Sequence, residues 1–214
     1  MLAINKMTMI QTPQKCWMCF NKLFFLKCFY KMLEYAEDVC VPDNEALEEL
    51  HTFMTSRGHV DTKRPSQPVF AFFGDEGIVY KYFGEAMIAF PFPKLLTHLA
   101  HLAHARFSGT IFNAAFVNLY RSGQDCVTPH RDKTHGHAPV LSFSFYEAGS
   151  TPDDYRHLCI QDDSGTVTQV CMAHGSLVIM PGGDWQSKHL HWVPKSHSNK
   201  WRLNVTLRVH NDMA

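Results

Sequence analysis

What most constrains this chain is the grain of its second half. From residue 112 onward the apolar residues come in short bursts, at 112–120, 140–146, 158–161, 166–172, 176–180 and 201–209, with Gly- and Pro-containing turns between them. Many short strands punctuated in this way predict an antiparallel sandwich, such as a double-stranded β-helix. The helices are expected before it. Asp43 or Asn44 can cap a helix running through Ala46, Leu47, Leu50 and Phe53, with Gly58 just past its end. Leu95, Leu96, Leu99, Leu102 and Phe107 repeat at helical spacing after Pro93. Between the helices, 69–73 and 78–82 read as two strands, with Gly74-Asp75-Glu76-Gly77 as the turn joining them. The expected fold is mainly β within the α+β class: a double-stranded β-helix (jelly-roll, cupin-like) core with preceding helices and an early β-hairpin.

A chain of 214 residues is most simply one domain with an extension. We expect residues 1–40 to form that extension and residues 41–214 the domain. The extension is rich in Lys, Cys, Met and aromatics, and Lys22, Lys27 and Lys31 interrupt its apolar run, which disqualifies it as a membrane span. An amphipathic packing helix is the expectation there. Cys16-x-x-Cys19 has no second pair at zinc-finger spacing, so packing outweighs metal binding. The seven cysteines form no regular disulfide framework and no signal peptide is evident, which predicts a reducing, intracellular setting, nuclear or cytoplasmic. Lys+Arg equals Asp+Glu at 20 each, so wholesale attraction to nucleic acid is not written into the composition, although a local basic face is compatible with it. His98, His101 and His104 drift round one helix and read as a solvated stripe rather than a metal cluster.

The chemistry is concentrated in residues spread between 118 and 208. His130-x-Asp132 puts an imidazole and a carboxylate on one side of a short extended segment, because alternate residues of a strand point the same way. A third ligand has to come from elsewhere, and His189, His191 and His197 are the candidates. His191 opens an apolar stretch, His191-Trp192-Val193-Pro194, that would carry it into the barrel; His189 would point the same way two residues earlier. Two histidines and one carboxylate make the facial triad of non-haem Fe(II) oxygenases, which leaves metal positions open. Further on, Arg202, Asn204, Thr206 and Arg208 alternate with apolar residues and face one side of a strand. Guanidinium groups inside a barrel are costly unless anions pair with them, and a dicarboxylate matches their planar fork. The combination points to oxygen chemistry rather than hydrolysis. On the dipeptide alone, HxD would be read as a surface turn, and the strand's polar face as solvated; the tail and the triad together favour the metal.

The ordered motifs resemble those of the AlkB-like 2-oxoglutarate and Fe(II)-dependent dioxygenases. They run from Phe73-Gly74-Asp75-Glu76-Gly77-Ile78-Val79-Tyr80 through Phe112-Asn113, Asn118-x-Tyr120-x-x-Gly123, His130-Arg131-Asp132 and Pro139-Val140-Leu141-Ser142-Phe143-Ser144. His174-Gly175-Ser176-Leu177, His191-x-x-Pro194 and the Arg202/Arg208 pair complete the order, so the likeness spans roughly residues 65–208. It implies that His130, Asp132 and His191 hold Fe(II), and that Arg202 pairs with the distal carboxylate of 2-oxoglutarate, with Arg208 near its metal-bound end. It implies hydrogen bonds to the co-substrate from Asn118, Tyr120 and Asn204, and O2 as the oxidant. The implied reaction is oxidative demethylation of N-alkylated bases in DNA or RNA, in repair or in RNA demethylation, yielding formaldehyde, succinate and CO2. Tyr80 and Tyr82 would be the hairpin aromatics that cover a flipped base as a lid, although hairpin packing explains Tyr82 about equally well. Arg131, with Lys133, Lys63 and Arg64, would meet phosphates.

One departure stands out. Repair members of the family often carry an acid two positions after the iron-binding aspartate, where this chain has Thr134, which can hydrogen-bond but brings no charge. Glu147, Asp153 and Asp154 are the acids that could stand in. Two other readings are carried: a same-fold oxygenase acting on a protein or small molecule, and a non-catalytic binding module. A monomer, with methylated DNA or RNA as partner and no membrane, is expected.

Overall fold

The computed structural model describes residues 33–82, 85–132 and 137–210. The expected amphipathic helix and Cys16-x-x-Cys19 fall outside these residues, as does Thr134. The elements run β1 (Glu34–Ala36), α1 (Asn44–Arg57), β2 (Val69–Gly74), β3 (Val79–Tyr82), β4 (Glu85–Ile88), α2 (Lys94–Arg106), β5 (Ala114–Tyr120), β6 (Val127–His130), β7 (Val140–Tyr146), β8 (Arg156–Gln161), β9 (Val167–Met172), β10 (Ser176–Met180), α3 (Asp184–Lys188), β11 (Leu190–Val193) and β12 (Arg202–Arg208). A 3-10 turn at Pro152–Asp154 precedes β8.

Two antiparallel sheets make the jelly roll. The large one has the order β1-β10-β7-β12-β5-β2 and the small one β6-β11-β8-β9. β12 lies at the centre of the large sheet, paired with β5 on one side and β7 on the other, with Arg202 opposite both Tyr120 and Tyr146. The core divides accordingly. Leu203, Val205 and Leu207 of β12 join Leu141, Phe143 and Phe145 of β7 beneath the helices, with Leu47, Leu50 and Met54 of α1 and Leu95, Leu96 and Leu99 of α2. Burying each such side chain contributes about 1.5–3 kcal/mol. A second cluster fills the space between the sheets, with Leu158, Ile160, Met172, Val178 and Val193.

The Asp43 carboxylate caps α1 by accepting the amide of Glu45. Gly58 ends it, but in an extended conformation rather than a left-handed one. The position requires glycine for space, since a Cβ there would run into the Met54 carbonyl and the Val69 side chain.

The sequence expectation fails at the early hairpin. Gly74–Gly77 does connect β2 to β3, yet those strands do not pair. β2 pairs with β5 in the large sheet, and β3 pairs with β4 as a separate two-stranded ribbon, Tyr80 opposite Met87 and Tyr82 opposite Glu85. The reason is burial: every residue of β2 is buried at the edge of the large sheet, whereas β3 alternates exposed and half-buried. An early hairpin exists, but it is built one strand later, from β3 and β4.

Candidate metal and co-substrate site

β6 is an edge strand of the small sheet, which is why it tolerates Pro129. It ends on His130, and the chain turns inward so that Asp132 follows. β11 pairs with β6 and sets His191 directly opposite His130, with the register shifting immediately afterwards, between His191 and Val193. Nε2 of His130 lies 3.5 Å from Oδ1 of Asp132, and Nε2 of His191 lies 3.9 Å from the same oxygen. One donor atom from each of the three residues falls within 4.8 Å of the others, a set that could hold a metal ion. Of the three candidate third ligands, the structure brings His191 to the pair. His189 instead stacks on Trp185 at 4.4 Å, with Nδ1 on the Trp185 carbonyl. His197 is not part of the cluster either.

The electrostatics suit metal binding. Nδ1 of His130 lies 2.9 Å from the Thr128 carbonyl, which can only accept, so the ring donates there and leaves the Nε2 lone pair for a ligand. Burial pushes the imidazole of His191 down to about 4, so it is neutral near pH 7. Burial would raise the carboxyl of Asp132, but Arg208 and then the two histidines overrule it and hold it well below the usual carboxylate range. Nη2 of Arg208 lies 2.8 Å from Oδ2 of Asp132. The outer oxygen is thus engaged by a cation while the inner one faces the histidines, an orientation suited to a ligating carboxylate.

Behind the triad, β12 supplies a row of polar side chains. Arg202 is 1% exposed, and its Nη2 bonds Ser144 Oγ at 2.9 Å and Met172 Sδ at 3.1 Å. Its Nε and Nη1 are buried with no hydrogen-bond partner. Two orphaned donors on a buried cation call for an anion, and a planar carboxylate is the group that fills both. Asn204 is fixed by bonds to Ser142 Oγ at 2.8 Å and the Phe143 carbonyl at 2.9 Å, and Thr206 bonds the Phe116 carbonyl. Asn118 and Tyr120 stand beside them on β5 and are buried. The donor set therefore fits a divalent metal with a dicarboxylate next to it.

Sequence reasoning missed Arg156. It is 3% exposed, and its guanidinium centre lies 5.1 Å from the Tyr120 ring, with that of Arg202 at 4.9 Å. Its fork donates to the carbonyls of Ser122, Asp125 and Pro194, tying the turn before β6 to the segment after β11. In sequence it is one basic residue at a strand start, and nothing local distinguishes it.

A cavity of about 210 Å³ opens over the triad. His130, Asp132 and His191 line it together with Asn118, Tyr120, Asn204, Arg208, Tyr80 and Tyr82. Tyr80 stacks on Phe72 with centroids 4.0 Å apart, and Tyr82 lies 4.7 Å from Phe70. Arg64 reaches the same rim while bonded to Asp61. Arg131 is exposed and does not line the cavity. Glu147 pairs with Lys200 and Asp154 accepts the Ser198 hydroxyl, so neither reaches the cavity, and Asp153 is exposed outside it.

A triad on a jelly roll with a buried anion cradle defines a class. A model of the 2OG-Fe(II) oxygenase superfamily matches residues 44–208, and the chain belongs to that superfamily. Its cofactor set is Fe(II), 2-oxoglutarate and O2. Within it the chain is AlkB-like. It is 34% identical over 114 residues to the alpha-ketoglutarate-dependent dioxygenase alkB homolog 3 of Bos taurus, covering 48% of this chain and 38% of that one. It is 29% identical over 153 residues to the DNA oxidative demethylase ALKBH2 of Bos taurus, covering 64% and 51%. The chain thus spans about half or less of the length of these relatives. The solved structure of OsALKBH1 matches with a TM-score of 0.57 over 83% of this chain and 96% of that one, at 15% identity, and so speaks for the fold. Among the described residues, no helix is long and apolar enough to cross a membrane.

Proposed function

We propose that the protein is an Fe(II)- and 2-oxoglutarate-dependent oxidative demethylase of N-alkylated bases in DNA or RNA, releasing formaldehyde, succinate and CO2. The observation that carries this reading is the shared cavity: the triad and the hairpin tyrosines line one space. A relative that is called a DNA oxidative demethylase supports the substrate class. In this reading His130, Asp132 and His191 hold the iron. Arg202 receives the distal carboxylate of 2-oxoglutarate on its orphaned Nε and Nη1. Arg208 keeps Asp132 oriented and adds positive charge at the metal-bound end, while Asn118, Tyr120 and Asn204 hydrogen-bond the co-substrate. Bound iron and 2-oxoglutarate supply the oxidation of the N-methyl group. The chain's task is to present that group and keep bulk water away. Tyr80 and Tyr82 cover the extruded base, a contact worth about 1–3 kcal/mol per stacked base. Arg131 would meet phosphates of the strand, and the Thr134 hydroxyl is the group that would hydrogen-bond the base. All these residues lie on one chain, so a monomer inside the cell suffices.

The test is a mass-spectrometric demethylation assay with Fe(II), 2-oxoglutarate and ascorbate on single-stranded and duplex oligonucleotides carrying N1-methyladenine, N3-methylcytosine or N6-methyladenine. Succinate is measured in parallel. Methyl loss matched by succinate is expected, and Asp132→Ala should abolish both while leaving the circular dichroism spectrum unchanged. Succinate formation with no oligonucleotide turnover would move the substrate to a protein or small molecule. Full activity in Asp132→Ala would sink the ligand assignment.

A further inference from the structure

His130 meets His191 because β6 lies in one particular register on β11. β6 is an edge strand, and β11 is its one neighbour in the sheet. A slip of one position would set Pro129 or Arg131 opposite His191 and turn the imidazole of His130 to the other face. The ladder alone holds this register weakly. The two strands match at His191 with His130 and at Val193 with Val127, and between those pairs one residue, Trp192, faces two, Thr128 and Pro129. A bulge of this kind interrupts the ladder, and Pro129 has no amide to give to it.

Arg156 supplies what the ladder lacks. It opens β8, the strand on the other side of β11, and is 3% exposed. Its guanidinium donates to the carbonyls of Ser122 at 3.3 Å and Asp125 at 2.7 Å, in the turn that leads into β6, and to that of Pro194, just after β11. One rigid fork therefore grips the start of one metal-bearing strand and the end of the other. Gly123 closes the same junction: its amide donates to the Ser198 carbonyl at 2.6 Å, and its carbonyl accepts the Ser196 amide at 2.8 Å. A Cβ at Gly123 would run into the Ser196 carbonyl and hydroxyl. Among the described residues no carboxylate pairs with Arg156, so its buried charge is held by these carbonyls and by the Tyr120 ring. A buried cation without an acid is a costly way to fill a core.

We propose that Arg156 is a positioning residue for the metal: it fixes β6 on β11 and thereby the spacing of His130 and His191, acting through the backbone at Ser122, Asp125 and Pro194. This rests on the triad as the metal site and not on the choice of substrate.

The experiment measures Mn(II) binding to the full chain by electron paramagnetic resonance of the free ion, with the Tm of the metal-free protein beside it. Arg156→Met should weaken Mn(II) binding by about 10- to 100-fold, the range for groups that orient metal ligands. Arg156→Lys keeps the charge and loses the fork, and should weaken it nearly as much. Leu50→Ala, in the core beneath the helices, should lower Tm and leave Mn(II) affinity unchanged. Should Arg156→Met fail to fold, Gly123→Ala opens the same junction from the other side and should weaken Mn(II) binding too. Native affinity in Arg156→Met, or in Gly123→Ala where that variant stands in for it, overturns the proposal. Full affinity in Arg156→Lys overturns it as well, since charge and not the junction would then be the cause. So does an equal loss in Leu50→Ala, which would trace the effect to stability alone. A native chain that binds no Mn(II) overturns the triad assignment and this role with it, whereas an absence of oligonucleotide turnover touches only the demethylase reading.

Discussion

Arg202 sets the terms at the scale of the residue. Its Nη2 is satisfied by protein, whereas its buried Nε and Nη1 are not. Charge-assisted hydrogen bonds of this kind contribute about 1.5–3 kcal/mol each. Losing both should raise the KM for 2-oxoglutarate by roughly 100-fold or more in Arg202→Ala, with a smaller change in kcat at saturation. Steady-state kinetics check this, and an unchanged KM would place the distal carboxylate elsewhere. His191 makes a second prediction, for the metal-free protein. Its folded pKa is pushed down to about 4 by burial, from 6.5. The unfolded state then binds the proton more readily, so His191 contributes stability that is complete above about pH 6.5 and is lost as pH falls towards 4. The loss is on the order of 1–3 kcal/mol. His130 works in the opposite direction, since Asp132 prevails over burial there and raises its pKa. Denaturant titrations between pH 7 and 4.5 should show a shallower loss in His191→Gln than in the native chain; parallel curves would refute the assignment.

Strands act through the bonds that join them, and one hydroxyl joins three. Tyr146 Oη on β7 donates to the Met172 carbonyl on β9 at 2.7 Å and accepts the Arg156 amide on β8 at 2.8 Å. Met172 in turn offers its sulfur to Arg202. Tyr146→Phe leaves a buried carbonyl and a buried amide unsatisfied, which costs about 1–3 kcal/mol. Thermal denaturation should show that loss, and Arg156→Met should show a comparable one while also raising the KM for 2-oxoglutarate, because the Tyr120 ring loses one of its two flanking cations. The elements legible in the sequence were those whose local pattern settles them: α1 with its Asp43 cap, α2 with its leucines, β7 and β10 as continuous apolar runs, and β12 with its alternation. β4 was not legible, because Glu85-Ala86-Met87-Ile88 is mostly exposed and gains its form only from pairing with β3. β6 contains a proline, and only its edge position makes that harmless. Arg156 and the choice of His191 over His189 depend on cross-strand register. The shared face of Arg202, Asn204, Thr206 and Arg208 was legible because alternation along one strand fixes it, and His130 with Asp132 because they stand two residues apart.

The whole molecule divides the labour between its sheets. His130 and His191 hang on the small sheet, with Asp132 just beyond β6, whereas Arg202, Asn204, Asn118 and Tyr120 stand on the large one. In the proposed reading, a metal with a bound dicarboxylate bridges the two, so each ligand tightens the sandwich rather than one strand. A ligand that binds only the native state stabilises it by about 2.7 kcal/mol at 100 times its Kd. In a domain of this size that is a rise of roughly 5–10 °C in Tm. Mn(II) alone should raise Tm, and 2-oxoglutarate should add a second increment only when metal is present. Arg202→Ala should keep the first increment and lose most of the second, since it leaves the small sheet's ligands intact. Asp132→Ala should lose both. Differential scanning fluorimetry on the four combinations of metal and co-substrate decides this, and a co-substrate increment that persists without metal or survives Arg202→Ala would mean that the dicarboxylate does not span the sheets.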